Sequence, residues 1–193
     1  ERGQDDKAWP AAIRAKELAP MSDEVRVVLG TLALKEGQTA NAKIYFEKAV
    51  LLNEYNIAAL LGLADIASRE NDFEKAEKGY KRVLETAPQQ PEVLNLLGLV
   101  AQAKGVQDEA CSLFYQAIRQ APARAPFYYN LAFSLKLDNK PVEALESFEK
   151  ALALQPDIKE AYNEMGLICQ SLGKLEQARV YWSKALEIDG DYV

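Results

Sequence analysis

Tyr129 and Phe133 stand four residues apart, the spacing that puts two side chains on one face of a helix. Their chemistry is adhesive rather than catalytic, because aromatic rings anchor interfaces. At recurring positions around them come Leu61, Leu99 and Leu167, with Asn95, Asn163 and Gln102, whose amides can hydrogen-bond a peptide backbone. Groups for covalent or acid–base work are not in evidence along the chain. It contains no histidine, which removes the commonest general base, metal ligand and triad member. It also has no phosphate-cradling glycine motif, no Gly-x-Ser-x-Gly and no cysteine cluster for zinc. Acidic groups such as Glu74/Glu77 and Glu143/Glu146/Glu149 lie beside Lys75, Lys78 and Lys150, as on solvated helix faces with i,i+3 and i,i+4 pairs. The chain is therefore expected to have no catalytic residue, no metal and no cofactor.

Bulk properties narrow the partners further. A net charge of −6, a pI near 4.9 and the lack of any Lys/Arg-rich block argue against nucleic acid or anionic lipid. No apolar run approaches the ~18 residues of a membrane span. The longest, Ile57 to Ala64, is broken by Asp65. The chain starts at Glu1 without an initiator Met, so cytoplasmic and periplasmic placements are both compatible with it. Cys111 and Cys169 fall two repeats apart and are expected to be buried small hydrophobes, too distant to bridge.

What positions these residues is a period of 34. Ala42, Ala76, Ala110, Ala144 and Ala178 are spaced by that interval, each followed four residues later by an aromatic: Phe46, Tyr80, Phe114, Phe148 and Trp182. A fixed period of this length marks a solenoid, in which each unit buries its apolar face only by stacking on neighbours. Within a unit, apolar residues recur with helical spacing, pause at Gly37, Asn71, Gly105, Asn139 or Gly173, and then resume. Gly and Asn tolerate the left-handed conformation that ends a helix, so the spacing predicts a helix, a turn and a second helix, five times over. Pro141 suits the first turn of a second helix, and Pro88, Pro122 and Pro156 close second helices.

The pattern resembles the tetratricopeptide repeat. Its small-residue pair stands here as Leu29-Gly30, Leu63-Ala64, Leu97-Gly98, Leu131-Ala132 and Met165-Gly166, followed by the alanine, the aromatic and the proline. Glu54 and Gly190 replace the inter-repeat proline, and Arg26 replaces a large residue. The resemblance implies an all-α, right-handed superhelical solenoid of antiparallel helix pairs. The repeats would span 23–56, 57–90, 91–124, 125–158 and 159–193, after a partial repeat at 1–22 whose helix is expected from about Pro10 to Ala19.

In such repeats the first helices line the concave surface. The positions opposite each core face then supply a groove of Val27, Thr31, Leu61, Asp65, Asn95, Leu99, Gln102, Tyr129, Phe133, Lys136, Asn163, Leu167 and Gln170. An apolar stripe with amides suits a peptide or partner helix bearing apolar side chains. One subclass of the family grips the C-terminal carboxylate of chaperone tails with Lys, Asn and Arg at set groove positions. Here Val27 and Thr31, Asn95 and Leu99 stand there, with the acids Glu160 and Glu164 where cations would be wanted, so that ligand is not expected and basic residues in the partner are favoured. The expected role is a protein-interaction scaffold in a bacterial-style assembly, such as a secretion or pilus complex. The alternative is a recruiting arm of a larger enzyme such as a glycosyltransferase. The chain begins within a repeat and stops at Val193 without a polar capping helix, which allows self-association through uncapped ends.

Overall fold

The computed structural model describes residues 2–189, and among these it contains eleven helices and no strand. The chain divides into two compact units between Gln89 and Gln90. The first holds α1 (Arg2–Leu18), α2 (Asp23–Lys35), α3 (Thr39–Leu52), α4 (Ile57–Arg69) and α5 (Phe73–Thr86). The second holds α6 (Pro91–Ala103), α7 (Gln107–Gln120), α8 (Ala125–Leu137), α9 (Pro141–Leu154), α10 (Lys159–Ser171) and α11 (Leu175–Asp189). Gly190 and the closing Asp191, Tyr192 and Val193 lie outside the described residues.

Each hairpin turn is built in the same way. Gly37, Asn71, Gly105, Asn139 and Gly173 all have positive φ, between 57° and 79°. In the first turn Gln38 N–H donates to the Ala33 carbonyl at 2.8 Å and Gly37 N–H to that of Leu34 at 3.0 Å. This Schellman pairing satisfies carbonyls that a helix end leaves open, and it recurs at all five turns. Pro141 opens α9, while α5, α7 and α9 each end two residues before a proline.

The pairs α2/α3, α4/α5, α6/α7, α8/α9 and α10/α11 pack closely, and all five alanines of the period are fully buried. Phe46 shows why small residues recur opposite the aromatics. Its ring lies between α2 and α4, where a Cβ added at Gly30 or Gly62 would sit 2.7 or 2.6 Å from a ring carbon. Stacking at native density therefore requires the missing methyl. Cys111 and Cys169 are free, buried thiols, and burial pushes both pKa values up.

One expectation is corrected at the start of the chain. The first helix is not confined to Pro10–Ala19; α1 runs Arg2–Leu18 and carries Pro10 inside it. Proline removes a single N–H from the ladder, and packing on both sides of it holds the helix through that point. Trp9 packs against the clusters around Phe46 and Leu29 and donates its indole N–H to Glu36, while Ala12 is buried beside Leu29 and Leu32.

Candidate functional site

In the second unit α8 touches both α6 and α10, which brings the amide-bearing and aromatic positions of three first helices side by side. Tyr129 and Phe133 are half-buried on α8, each with one side against the cluster around Phe114 and Phe148. The Tyr129 ring meets Phe148 edge-on, with centroids 5.5 Å apart and planes at 67°. Desolvation raises the Tyr129 pKa, and the nearby carboxylates of Glu164 and Glu160 add to the shift. Lys136 pairs with Glu164 and holds its ammonium 5.6 Å from the centre of the Phe133 ring. Phe133 is thus partly roofed by a cation–π contact, whereas Tyr129 borders a pocket of about 320 Å³ with Asn163, Glu160, Glu164 and Leu186.

The amides are oriented by the fold. Asn130 donates to the Asn95 carbonyl oxygen at 2.8 Å, and the fully buried Ser134 hydroxyl donates to the Gln102 carbonyl oxygen at 2.9 Å. With an acceptor oxygen of each engaged within the fold, Asn95 and Gln102 keep amide N–H groups as their donors. Asn163 and Gln170 are exposed on α10, and Leu99 and Leu167 are 36% and 39% exposed. Ser134 carried a legible signal: the same position of the other copies holds Leu32, Ile66, Val100 and Ile168, so a hydroxyl there needs a partner.

In the first unit the corresponding residues have other commitments. Val27 packs into the cluster around Phe46, and the Thr31 hydroxyl donates to the Val27 carbonyl at 3.0 Å. Leu61 is half-buried on α4. Asp65 accepts the Tyr80 hydroxyl at 2.6 Å, and burial together with this carboxylate pushes the Tyr80 pKa far up. Tyr80 is the one tyrosine among the five period aromatics, and Asp65 the one carboxylate in the series Thr31, Asp65, Leu99, Phe133, Leu167. Among the described residues no helix is long and apolar enough to cross a membrane, and no group of three His, Cys, Asp or Glu could hold a metal ion.

Family models described as tetratricopeptide repeat match residues 33–100, 125–158 and 160–192. Relatives include BBSome complex member BBS4 of Bos taurus, 24% identical over 97% of this chain and 36% of its own length. Protein O-mannosyl-transferase TMTC1 of Homo sapiens is 25% identical over 96% of this chain and 20% of its own length. Type IV pilus assembly protein PilF of Pseudomonas aeruginosa is 27% identical over 83% of this chain and 66% of its own length. The chain spans 36%, 30% and 20% of the length of three of these curated relatives, TPR repeat-containing protein MJ1428 of Methanocaldococcus jannaschii being the second. Among solved structures, MamA of Desulfovibrio magneticus superposes with a TM-score of 0.82 at 18% identity, over 88% of this chain and 96% of that one. YrrB, titled a TPR protein with an unusual peptide-binding site, gives 0.77 at 17% identity over 94% of each chain.

Proposed function

Because the chain belongs to the tetratricopeptide repeat family, we propose that it is a protein-interaction scaffold holding a peptide or helix of a partner on the first-helix face of its second unit. The observation that carries this reading is the Tyr129 pocket. There a half-exposed aromatic side chain adjoins the Asn163 amide and the carboxylates of Glu160 and Glu164, with Lys159 also on the rim. Tyr129 and Phe133 supply apolar contact, Asn95 and Gln102 donate to backbone carbonyls, and Glu160 favours a basic residue in the partner. Leu99, Leu167, Asn163 and Gln170 extend the contact along α6 and α10. A chaperone-tail carboxylate fits poorly, since it would approach Glu160 and Glu164 with Lys136 already paired. In the first unit Leu61 and Thr31 would form a smaller contact of their own. Repeat boundaries at 23–56, 57–90, 91–124, 125–158 and 159–193 belong to the same proposal.

The relatives' names support placing such a scaffold in a multiprotein assembly, since BBS4 is named as a complex member and PilF as a pilus assembly protein. The test is a pull-down from native extract with the wild type and with Tyr129→Ala/Phe133→Ala. Selective loss of retained proteins, with helicity unchanged, is expected; an unchanged set of proteins would sink the reading. A second reading, the recruiting arm of a larger transferase, draws on the match to TMTC1. It is checked by the reading frame around this segment, and fails if no transferase domain is encoded with it.

A further inference from the structure

A second concave site lies in the first unit, on the side of α4 away from Leu61 and Asp65. It is a pocket of about 240 Å³ whose floor includes Val50, Leu60 and Leu63, between α3 and α5. Its wall includes a break in the repeat register. The position just before the period aromatic holds Tyr45, Leu113, Ser147 and Tyr181 in the other copies, and Gly79 in α5. Tyr45, Leu113 and Tyr181 pack against their core clusters, whereas Gly79 lets α5 lie directly on α4, since a Cβ there would come 2.8 Å from the Ala64 Cβ, and both residues line the pocket.

The rim is charged with one sign in excess. Lys43, Lys75, Lys78 and Arg82 surround the opening against Glu47 and Glu70, in a chain whose net charge is −6. Lys43 lies 3.5 Å from Glu70, Arg82 lies 3.6 Å from Glu54, and Lys75 pairs with Asp72. Lys78 has no ion pair among the described residues, so its ammonium is the rim charge left to meet an anionic group of an occupant. The volume is below the roughly 300 Å³ at which small-molecule sites begin. It matches instead a single large side chain used as an interface anchor, ringed by residues that exclude water.

We propose that this pocket docks an acidic segment of a partner protein by taking one large apolar side chain between α3 and α5, with a flanking carboxylate meeting Lys78. The site shares no residue with the Tyr129 face.

The test is an amide chemical-shift titration of the whole chain with three synthetic peptides. One carries a central Trp flanked by Asp and Glu, the second the same Trp flanked by Lys, and the third Ala in place of Trp between acidic flanks. The acidic Trp peptide is expected to shift amides of α3, α4 and α5. Affinity should fall at least about tenfold with Ala for Trp. It should also fall several-fold in Lys78→Glu and with added salt, because the rim charges are exposed. Equal binding of the Lys-flanked peptide, shifts centred on α8 and α10, full displacement by dodecanoate, or wild-type affinity in Lys78→Glu would each overturn the proposal.

Discussion

The first helices of the two units use the same register positions for different ends. On α4, Asp65 serves the fold's own buried phenol. On α8, the position one period further but one is Phe133, which needs no polar service and faces outward under Lys136. The reason lies across each hairpin. Tyr80 brings a hydroxyl into a site where desolvation demands an acceptor, while Phe114 and Phe148 bring none. A helix face is available to a partner only after the neighbouring second helix has been satisfied. The same contrast explains Asn95 and Gln102, whose oxygens answer Asn130 and Ser134 and whose N–H groups are left to bind.

The comparison can be broken most forcefully by separating stacking from display in the second unit. Phe148→Ala should lower unfolding free energy by about 3–5 kcal/mol in urea titrations, because the ring is fully buried. Tyr129→Ala should cost clearly less stability. The contrast between core and face fails if the two variants unfold at the same urea concentration.

A smaller effect is expected in the first unit. Asp65→Ala strands the Tyr80 hydroxyl and should cost about 1–3 kcal/mol. Installing Leu at 65 with Phe at 80, the pair found one period later as Leu99 and Phe114, should recover most of that loss. Thr31→Ala on α2, whose hydroxyl only bonds its own helix, should change stability by less than about 0.5 kcal/mol.

Titration sharpens the same contrast. The Tyr80 pKa is raised in the fold, so the stability tied to its neutral hydroxyl is complete below the ordinary tyrosine range and is lost as pH rises through the folded value. Near-ultraviolet titration should therefore show Tyr80 ionising after the other tyrosines and together with loss of helix. Early ionisation of all tyrosines would contradict a buried, acceptor-bound Tyr80.

The smallest effect concerns Asp23, at the start of α2, which accepts from Asn56 at 2.9 Å and Asn53 at 2.7 Å. These hydrogen bonds lower its pKa from 3.8 to about 2. Its contribution is present above the unfolded carboxylate value and fades as pH falls toward 2. Asp23→Asn should lower the melting temperature slightly at neutral pH, with the difference from wild type closing in strong acid.

Much of the architecture was legible from residue types. The alanine ladder, the aromatics four residues on and the Gly or Asn turn positions place helices and caps because each rests on local sterics repeated at a fixed interval. The extent of α1 was less legible, since Pro10 marks a break locally and only the packing of Trp9 and Ala12 carries the helix through it. Within the candidate face, Tyr129 could be placed by register alone. The engagement of Asp65 with Tyr80 could also have been found by comparing the two series of residues, whereas Asn130 gave no such signal because its series holds Val28, Gly62, Leu96 and Glu164.

The sequence alone determined the family, the all-α class and the phase of the helices from α2 to α11, because periodic burial and turn chemistry act over a few residues. Only tertiary structure decided which polar groups are already occupied and where space is left over. Hydrogen-bond satisfaction and close packing join residues 15 to 35 positions apart, such as Tyr80 with Asp65 and Asn130 with Asn95. The pocket beside Gly79 is lined from α3, α4 and α5 at once, which no single stretch of sequence displays.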